Sequence, residues 1–510
     1  MRYLGFDAYE KSIHTIGSSV VFMAREGDAT VIICAPQAGV PEPLGFTGQD
    51  LGDGRLRVPL THENAEVLRK HFPFTAPVRG LTRDRSFGVG DRLGIATPGH
   101  IKVFESYDVF PVFAQQSIRE LNLTGRTYED VLDAVSFAVF QEGFTKGFGA
   151  DGDHLKTGKD VAYALSLGFS MITLDCSDYI KAEGAQALTL SPRYQDQYLN
   201  KTFTLGEGVS LSFTEKELLQ CIGVYADAIA FAREIYTRFF KDDRYEADFE
   251  ISIDETSTPT TPLQHFFVAK ELTDAGVSFA TLAPRFCGEF QKGIDYRGDV
   301  AQFDEEIQVH GVIARHFGYK LSIHSGSDKF SVFPSIGRET QGVFHVKTAG
   351  TTWLEAIRVV ALVDPRLYRE VHHYARSVFE EAAAYYHVTP NLNQIPEVDT
   401  LTDAEVPGLL DHPDARQLIH ITYGLILNKK NLDGSYTFKD RLYRLWRNHE
   451  GRYADFLAAH IGKHLSLLGV KKIEHPLGMA APSVKALSRG MGTSYGGISP
   501  SAKPGPRISP

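Results

Sequence analysis

Residues 148–156 read Phe-Gly-Ala-Asp-Gly-Asp-His-Leu-Lys, a change from apolar and small residues to two carboxylates, an imidazole and an amine. A strand that ends at Ala150 and runs directly into titratable groups is typical of the carboxyl edge of a parallel sheet. Such groups are costly to desolvate, so beside an apolar strand they favour metal binding or proton chemistry. A solvated turn is the alternative, and the choice depends on whether similar clusters follow other strands.

Short apolar runs alternate with longer amphipathic stretches between residues 105 and 430. Besides the run that ends at Ala150, the predicted strands are 110–114, 169–174, 248–253, 279–283, 320–323, 342–346 and 418–423. Alternating strands and helices predict a parallel sheet. About eight such strands predict a (β/α)8 TIM-like barrel with insertions.

The predicted barrel occupies residues 101–430 and is flanked by three further segments. Residues 1–100 predict a β-rich extension with a hairpin of strands 19–23 and 29–34, followed by a loop at 81–94 that is rich in glycine, arginine and aspartate. Residues 431–489 predict helices packed on the barrel. Residues 490–510 are rich in Gly, Ser and Pro and predict a disordered tail.

Composition excludes several classes of protein. The chain has 510 residues, 43% of them hydrophobic, and a net charge of −10, which is ordinary for a globular protein and offers no basic patch for nucleic acid. No apolar run reaches the roughly 18 residues that cross a bilayer, and the N-terminus lacks a signal core. Four cysteines without a Cys-x-x-Cys pair indicate free thiols. We expect a cytoplasmic protein without membrane or nucleic-acid partners; the sequence permits a homo-oligomer without requiring one.

Polar side chains follow nearly every predicted strand, at the end where a parallel barrel has its active site. His154, His324 and His345 are candidate metal ligands, and three imidazoles, or two with a carboxylate, would suit Zn, Mn, Ni or Fe. Glu255 is the best acid–base candidate, since partial burial and a nearby cation can move the pKa of a glutamate at a strand end. A core histidine at His345 and a structural ion pair at Glu255 remain the alternatives.

Other polar residues at the strand ends are candidates for substrate binding: Gln116, Ser117, Lys156, Asp175, Arg285, Lys329 and Lys347. The cations among them, together with Arg119, would suit a carboxylate or a phosphate on the substrate. Histidines on helical stretches are instead expected at the surface or at helix caps: His265, His310, His316, His372 and His373.

Several of these segments together resemble the tagaturonate epimerase family of bacterial hexuronate catabolism. The resemblance covers about residues 80–430 and is carried by segments 90–100, 111–120, 149–157, 252–256, 324–329 and 345–350. Two of them read Ser-Ile-Asp-Glu-Thr at 252–256 and His-Ser-Gly-Ser-Asp-Lys at 324–329. Gly152 departs from the family pattern, which has alanine there, a change between small residues that should leave the site intact.

The resemblance implies metal-dependent epimerisation of D-tagaturonate to D-fructuronate, with related ketohexoses such as fructose and tagatose as further substrates. With the ketone at C2, the inverted centre is C4, which simple enolisation does not reach. Either retro-aldol cleavage of C3–C4 or two proton-transferring groups on opposite faces would invert it. The open alternatives are another metal-dependent sugar isomerase, a class II-type aldolase, and a catalytically silent protein that binds sugar acids.

For this reaction we hypothesise roles for individual residues. His154, His324 and His345 would hold the metal, Asp153 would accept a proton and Glu255 would donate one. Neighbouring strand residues point to opposite faces of a sheet. Asp153 and His154 are therefore expected to share a site only if they lie on a loop beyond the strand.

Overall fold

An antiparallel sheet precedes the barrel in the computed structural model of the chain, which describes residues 1–37, 44–181 and 189–473. Its strands are β1 (Arg2–Tyr3), β2 (Phe6–Ala8), β3 (His14–Ile16), β4 (Ser19–Glu26), β5 (Ala29–Pro36), β6 (Gln49–Asp50) and β7 (Leu56–Val58). β4 and β5 pair along their whole lengths, which confirms the predicted hairpin. The predicted tail at 490–510 lies outside the described residues.

Eight parallel strands close into a barrel, and the (β/α)8 prediction is confirmed. The remaining strands are β8 (Arg85–Val89), β9 (Phe110–Ser117), β10 (Gly149–Leu155), β11 (Met171–Asp175), β12 (Thr202–Gly206), β13 (Val209–Ser212), β14 (Asp248–Ile253), β15 (Thr281–Pro284), β16 (Lys320–Ile323) and β17 (Phe344–Thr348). β12 and β13 form a separate hairpin. The other eight follow one another round the barrel in chain order, and β17 closes it against β8.

Helices surround the barrel and continue after its last strand. They are α1 (His62–His71), α2 (Thr97–Phe104), α3 (Ile118–Thr124), α4 (Tyr128–Glu142), α5 (Gly158–Ser166), α6 (Pro192–Tyr198), α7 (Glu215–Phe239), α8 (Pro262–Asp274), α9 (Val300–Phe317), α10 (Phe333–Glu339), α11 (Thr351–Val363), α12 (Pro365–Ser377), α13 (Phe379–Ala383), α14 (Pro413–Ile421), α15 (Tyr423–Asn428), α16 (Lys439–Asn448) and α17 (Glu450–Leu467). None of the helices in the described part of the chain has the length and apolar character to cross a membrane.

Two strand predictions were wrong. One barrel strand was missed and one helical segment was predicted as a strand, so the predicted number of strands is still eight. The first barrel strand is β8, which lies in the segment predicted as a loop, whereas residues 418–423, predicted as the last strand, span the end of α14, a bend at Thr422 and the start of α15. Pro413 begins α14, and Leu418 and Ile419 pack in the same core as Trp353 of α11. A Pro in the first helical turn and burial against another helix override the β-branched character of this run.

Three histidines predicted at the surface or at caps are instead fully buried: His265, His310 and His372. The Nδ1 atoms of His265 (α8) and His310 (α9) are 2.8 Å apart, and the hydroxyl of Tyr319 is 2.6 Å from Nε2 of His265. Burial lowers the pKa of His310 to about 4. These imidazoles are therefore neutral and pack between helices. The polar pattern of the surrounding sequence did not indicate that they would be buried.

Gly88 explains why β8 looks unlike a strand in the sequence. A Cβ atom at this position would lie 1.8 Å from Oε1 of Gln115, whose Nε2 donates to the carbonyl of Thr348 at 3.0 Å. An added Cβ would displace that side chain from its place inside the barrel, which favours glycine here.

Gly88→Ala is expected to lower the free energy of unfolding by ~1–3 kcal/mol, because Gln115 must leave its hydrogen bond to make room. Thermal unfolding of the variant tests this. In a Gln115→Ala background the same change should cost much less, since the clashing atom is gone. An equal cost in both backgrounds would place the strain elsewhere.

Candidate active site

A cavity of about 330 Å³ opens at the carboxyl ends of the barrel strands. Of the residues proposed from the sequence for the site, those that line it are Ser117, Asp153, His154, Glu255, Arg285, His324 and Lys347. They come from β9, β10 and β17 and from the segments just after β14, β15 and β16. The parallel topology thus brings together side chains that are up to 230 positions apart in the chain, as barrel active sites require.

Two imidazoles and one carboxylate meet in this cavity. One ligand atom from each of His154, Asp254 and His324 lies within 4.8 Å of the other two. Oδ1 of Asp254 is 3.2 Å from Nδ1 of His324 and 3.8 Å from Nε2 of His154. Two nitrogens and one oxygen from protein, with further positions open toward a cavity, are a donor set that divalent transition metals bind in enzymes.

The second nitrogen of each imidazole is held by a buried carboxylate. Nδ1 of His154 is 2.7 Å from Oδ1 of Asp153, and Nε2 of His324 is 2.8 Å from Oε1 of Glu250. Imidazoles that bind metals almost always donate their other N–H in this way, which fixes the ring and its tautomer. The residues present therefore fit a divalent cation, with His154, Asp254 and His324 as ligands.

The electrostatics of the cluster also match a bound cation. Burial alone would raise the pKa of Asp254, but the two neighbouring imidazoles outweigh it and hold that pKa well below its usual range. Burial would lower the pKa of His154, but the charge of Asp153 and its hydrogen bond raise it well above the ordinary value. The surplus of carboxylates thus attracts positive charge, which a metal ion would supply in place of protons.

An irregularity in β10 lets the neighbours Asp153 and His154 share the site. His154 has φ +55°, in the left-handed region that non-glycine residues seldom adopt. The pairing of β10 with β11 shifts register between Gly152 and Leu155. This bulge turns the imidazole onto the side of the Asp153 carboxylate while both residues remain in the strand, so the loop expected from the sequence is not needed.

Lys347 lies beneath the cluster, among carboxylates inside the barrel. Its Nζ is 2.6 Å from Oδ2 of Asp151 and 3.3 Å from Oε1 of Glu250, and it also pairs with Asp153. Burial would lower the pKa of Lys347, but these three charges raise it well above the usual value. The ammonium is thus committed to the protein's own carboxylates, although it was predicted to bind substrate.

His345, predicted as the third ligand, lies outside the cluster. It pairs in register with Ser322 and Ser86, toward the amino ends of the strands, and its Nδ1 is 2.9 Å from Oγ of Ser86. Burial lowers its pKa to about 3. The third residue of the cluster is Asp254 and not His345, because Asp254 directly follows β14 at the rim of the barrel.

Four of the predicted substrate-binding residues do not line the cavity, because each side chain is engaged elsewhere. The contacts are Gln116 Nε2 to the Gln115 carbonyl (2.8 Å), Lys156 Nζ to Asp178 (2.6 Å), Asp175 Oδ1 to the Ser177 amide (2.8 Å) and Lys329 Nζ to three backbone carbonyls. These predictions were based only on the position of a residue at a strand end, which does not show which partners its side chain bonds.

Two further cations line the cavity. Arg119, which the sequence suggested among the cations for an anionic substrate, lies 3.8 Å from Oε1 of Glu255. Lys292, which the sequence did not assign to the site, enters from the segment after β15. Asp254 carried a usable signal, as a carboxylate at a strand end beside Glu255. Lys292 carried none, since it is eight residues from the end of β15 at Phe-Gln-Lys-Gly, an ordinary loop sequence.

Comparison with known proteins places these observations in a family. A family described as tagaturonate epimerase matches residues 9–468. The tagaturonate/fructuronate epimerase of Thermotoga maritima is 44% identical over 478 residues, which cover 91% of this chain and 97% of that protein. A glycerol-complexed crystal structure of the fructuronate-tagaturonate epimerase from Cohnella laeviribosi superposes with a TM-score of 0.88 at 49% identity, covering 92% of this chain and 97% of the other. The chain belongs to the tagaturonate epimerase family of isomerases.

Proposed function

We propose that this protein interconverts D-tagaturonate and D-fructuronate by inverting C4, counted with the ketone at C2, and that it uses a divalent metal. Its relatives from Thermotoga maritima and Cohnella laeviribosi carry the names of epimerases for these two compounds. The observation that carries the metal requirement is the pair of imidazoles in the cavity, each fixed by a buried carboxylate and both close to Asp254.

Inversion at C4 is possible without acidifying the C4 hydrogen. A base removes the proton from the C4 hydroxyl, the C3–C4 bond breaks, and its electron pair remains on the fragment that holds the ketone. The aldehyde fragment turns, C3 adds to its other face, and the proton returns to O4. A divalent cation held by His154, Asp254 and His324, such as Zn, Mn, Ni or Fe, would polarise the ketone and stabilise negative charge on the substrate oxygens.

Glu255 is our choice for the group that moves the O4 proton. Its side chain is 39% exposed, lines the cavity and lies 3.8 Å from the guanidinium of Arg119. We assign Asp153 to orienting His154, although the sequence suggested it as the proton acceptor. Burial would raise the pKa of Asp153, but Lys347 and His154 hold it far below its usual value, which makes a weak base. The free thiols favour a reducing compartment, so we place the reaction in the cytoplasm.

Removal of the metal is expected to abolish turnover of D-tagaturonate. The protein is treated with a chelator, dialysed, and assayed before and after Zn, Mn, Ni or Fe is restored singly, with products resolved by chromatography. Full activity in the chelated, metal-free protein would contradict the metal requirement. Release of two fragments would indicate an aldolase, and a product with a moved carbonyl would indicate an isomerase. Ligand binding without turnover would indicate a silent binding protein.

The route is tested by running the reaction in D2O. Bond cleavage between C3 and C4 leaves the C4 hydrogen in place, so fructuronate is expected to carry no deuterium at C4. Deuterium at C4 would instead support two groups that exchange a proton at that carbon from opposite faces.

A further inference from the structure

We propose that Lys292 recognises the carboxylate of the sugar acid and that Lys329 positions Lys292. This inference rests on the proposed function, because it names the group that distinguishes a uronate from a neutral ketohexose of the same shape. Neither residue lies in the cluster of imidazoles and carboxylates described above.

Among the cations that line the cavity, Lys292 and Arg285 have no carboxylate partner in the described part of the chain, and Lys292 is the one held by a side-chain hydrogen bond. Lys347 is enclosed by three carboxylates, and Arg119 faces Glu255. The ammonium of Lys292 donates to the hydroxyl of Ser325 at 3.1 Å, and no carboxylate of the described residues forms an ion pair with it. Burial, followed by the charge of Arg119, lowers the pKa of Lys292, against the opposing charges of Glu120 and Glu255. A partly buried cation without an ion-pair partner is costly, and an anionic ligand would compensate it.

The backbone that carries Lys292 is fixed by three side chains. Four successive carbonyls accept hydrogen bonds: Gln291 from Lys329 (2.8 Å), Lys292 from Gln417 (3.2 Å), Gly293 from Arg416 (2.7 Å) and Ile294 from Lys329 (2.7 Å). A backbone held at every carbonyl keeps the start of the Lys292 side chain in place, and the hydrogen bond to Ser325 holds its ammonium. The ammonium is therefore oriented before substrate arrives, which reduces the cost of binding.

Lys329 also ties this segment to the loop that carries His324. Its Nζ donates to the carbonyl of Ser327 at 2.7 Å, in addition to the carbonyls of Gln291 and Ile294. Three donors meet three acceptors, so the Lys329 ammonium has no hydrogen left for substrate. Lys329 thus helps to set the distance between the carboxylate-binding group and the metal cluster, together with Arg416, which bonds both the Gly293 carbonyl and Asp328.

Lys292→Met is expected to lower kcat/KM for D-tagaturonate about 100-fold, the effect of losing a buried charged contact of roughly 2.7 kcal/mol. The same variant should keep, or improve, its activity on D-tagatose, which has a hydroxymethyl group in place of the carboxylate. Lys292→Arg should recover most of the activity on the uronate. Lys102→Met is the matched control, since Lys102 is 56% exposed and pairs with Asp455 at the surface.

Binding is measured separately by calorimetry, with the inert sugar acid D-galactonate and the neutral polyol galactitol. Loss of galactonate binding in Lys292→Met, with galactitol unchanged, would support the proposal even if tagaturonate were not a substrate of the wild type. Equal losses for acid and neutral ligands, or no loss for either, would overturn it. Wild-type protein that binds galactonate but never converts tagaturonate would refute the proposed function and leave the role of Lys292 standing.

The positioning role of Lys329 has its own test. Lys329→Gln retains two donors and is expected to raise KM for D-tagaturonate more than KM for D-tagatose, with kcat less affected. In the Lys292→Met background the same change should no longer alter the preference for the acid, since it acts through Lys292. A merely structural role would raise both KM values alike, in both backgrounds.

Discussion

Asp254→Asn and His324→Ala are each expected to remove bound metal and turnover together, whereas His345→Gln keeps both. The ligand set read from the structure is His154, Asp254 and His324. The set suggested by the sequence contained His345 in place of Asp254. Only the substitutions at 254 and 345 separate the two sets, because both sets contain His154 and His324.

The expected effects follow from the partners of each side chain. Asp254 faces both imidazoles, so Asn removes the charge that balances the cation, and loss of one ligand of three should weaken metal affinity by ~100-fold or more. His345 contacts Ser86 deep in the barrel, and Gln can keep a hydrogen bond there. Metal content by elemental analysis, beside kcat on D-tagaturonate, gives both results on one sample. Metal lost from His345→Gln and retained by Asp254→Asn would restore the ligand set of three histidines.

Lys347→Met is expected to destabilise the fold by ~3–5 kcal/mol, the usual cost of removing one partner from a buried group of charges. Asp151, Asp153 and Glu250 would then face one another in the barrel without their common cation. Already in the wild type, burial raises the pKa of Asp151 to about 6, against the opposing effect of Lys347. Without the ammonium, the pKa of Asp151 rises further, and the pKa values of Asp153 and Glu250, which Lys347 helps to lower in the wild type, rise as well.

The pH dependence of this loss has a definite sign. A carboxylate whose pKa is higher in the folded than in the unfolded state adds stability while it is protonated, and that stability is lost as pH rises through the folded pKa. The Tm of Lys347→Met should therefore fall further below wild type at pH 8 than at pH 5. The double variant Lys347→Met/Glu250→Gln removes one charge of each sign and should recover part of the loss. A deficit independent of pH would mean that packing, and not charge, accounts for the loss.

The barrel could be predicted because most of its strands carry their own apolar signal. Ile172 and Leu174 of β11, and Phe249 and Ile251 of β14, are buried against surrounding helices and appear as apolar runs in the sequence. β8 could not be found in this way, since Gly88 is required by the side chain of Gln115 on the neighbouring strand. A residue that is favoured by a contact with another strand cannot be recognised from the sequence pattern of its own strand.

The location of the candidate site could be predicted from the sequence, but the roles of its individual residues could not. A polar residue just past a strand end lies at the rim whatever the details, which is why His154, Glu255 and His324 were found. Whether such a residue faces substrate depends on what else its atoms bond. Lys329 and Lys347 are chemically suited to an anion and yet are used by the protein itself, a fact set by partners at distant positions in the chain.

Because the Lys329 ammonium ties the 291–294 segment to the loop after β16, one wall of the cavity moves only as a single body. Movement of the lining is therefore expected at the other walls, where Tyr385–His387 lies: Tyr385 is 50% exposed, and the hydroxyl of Tyr386 is 3.0 Å from that of Tyr423. The rate of substrate and product exchange would then depend on an aromatic contact remote from the bonds that break. An enzyme with this construction can be made faster or slower without alteration of its chemistry.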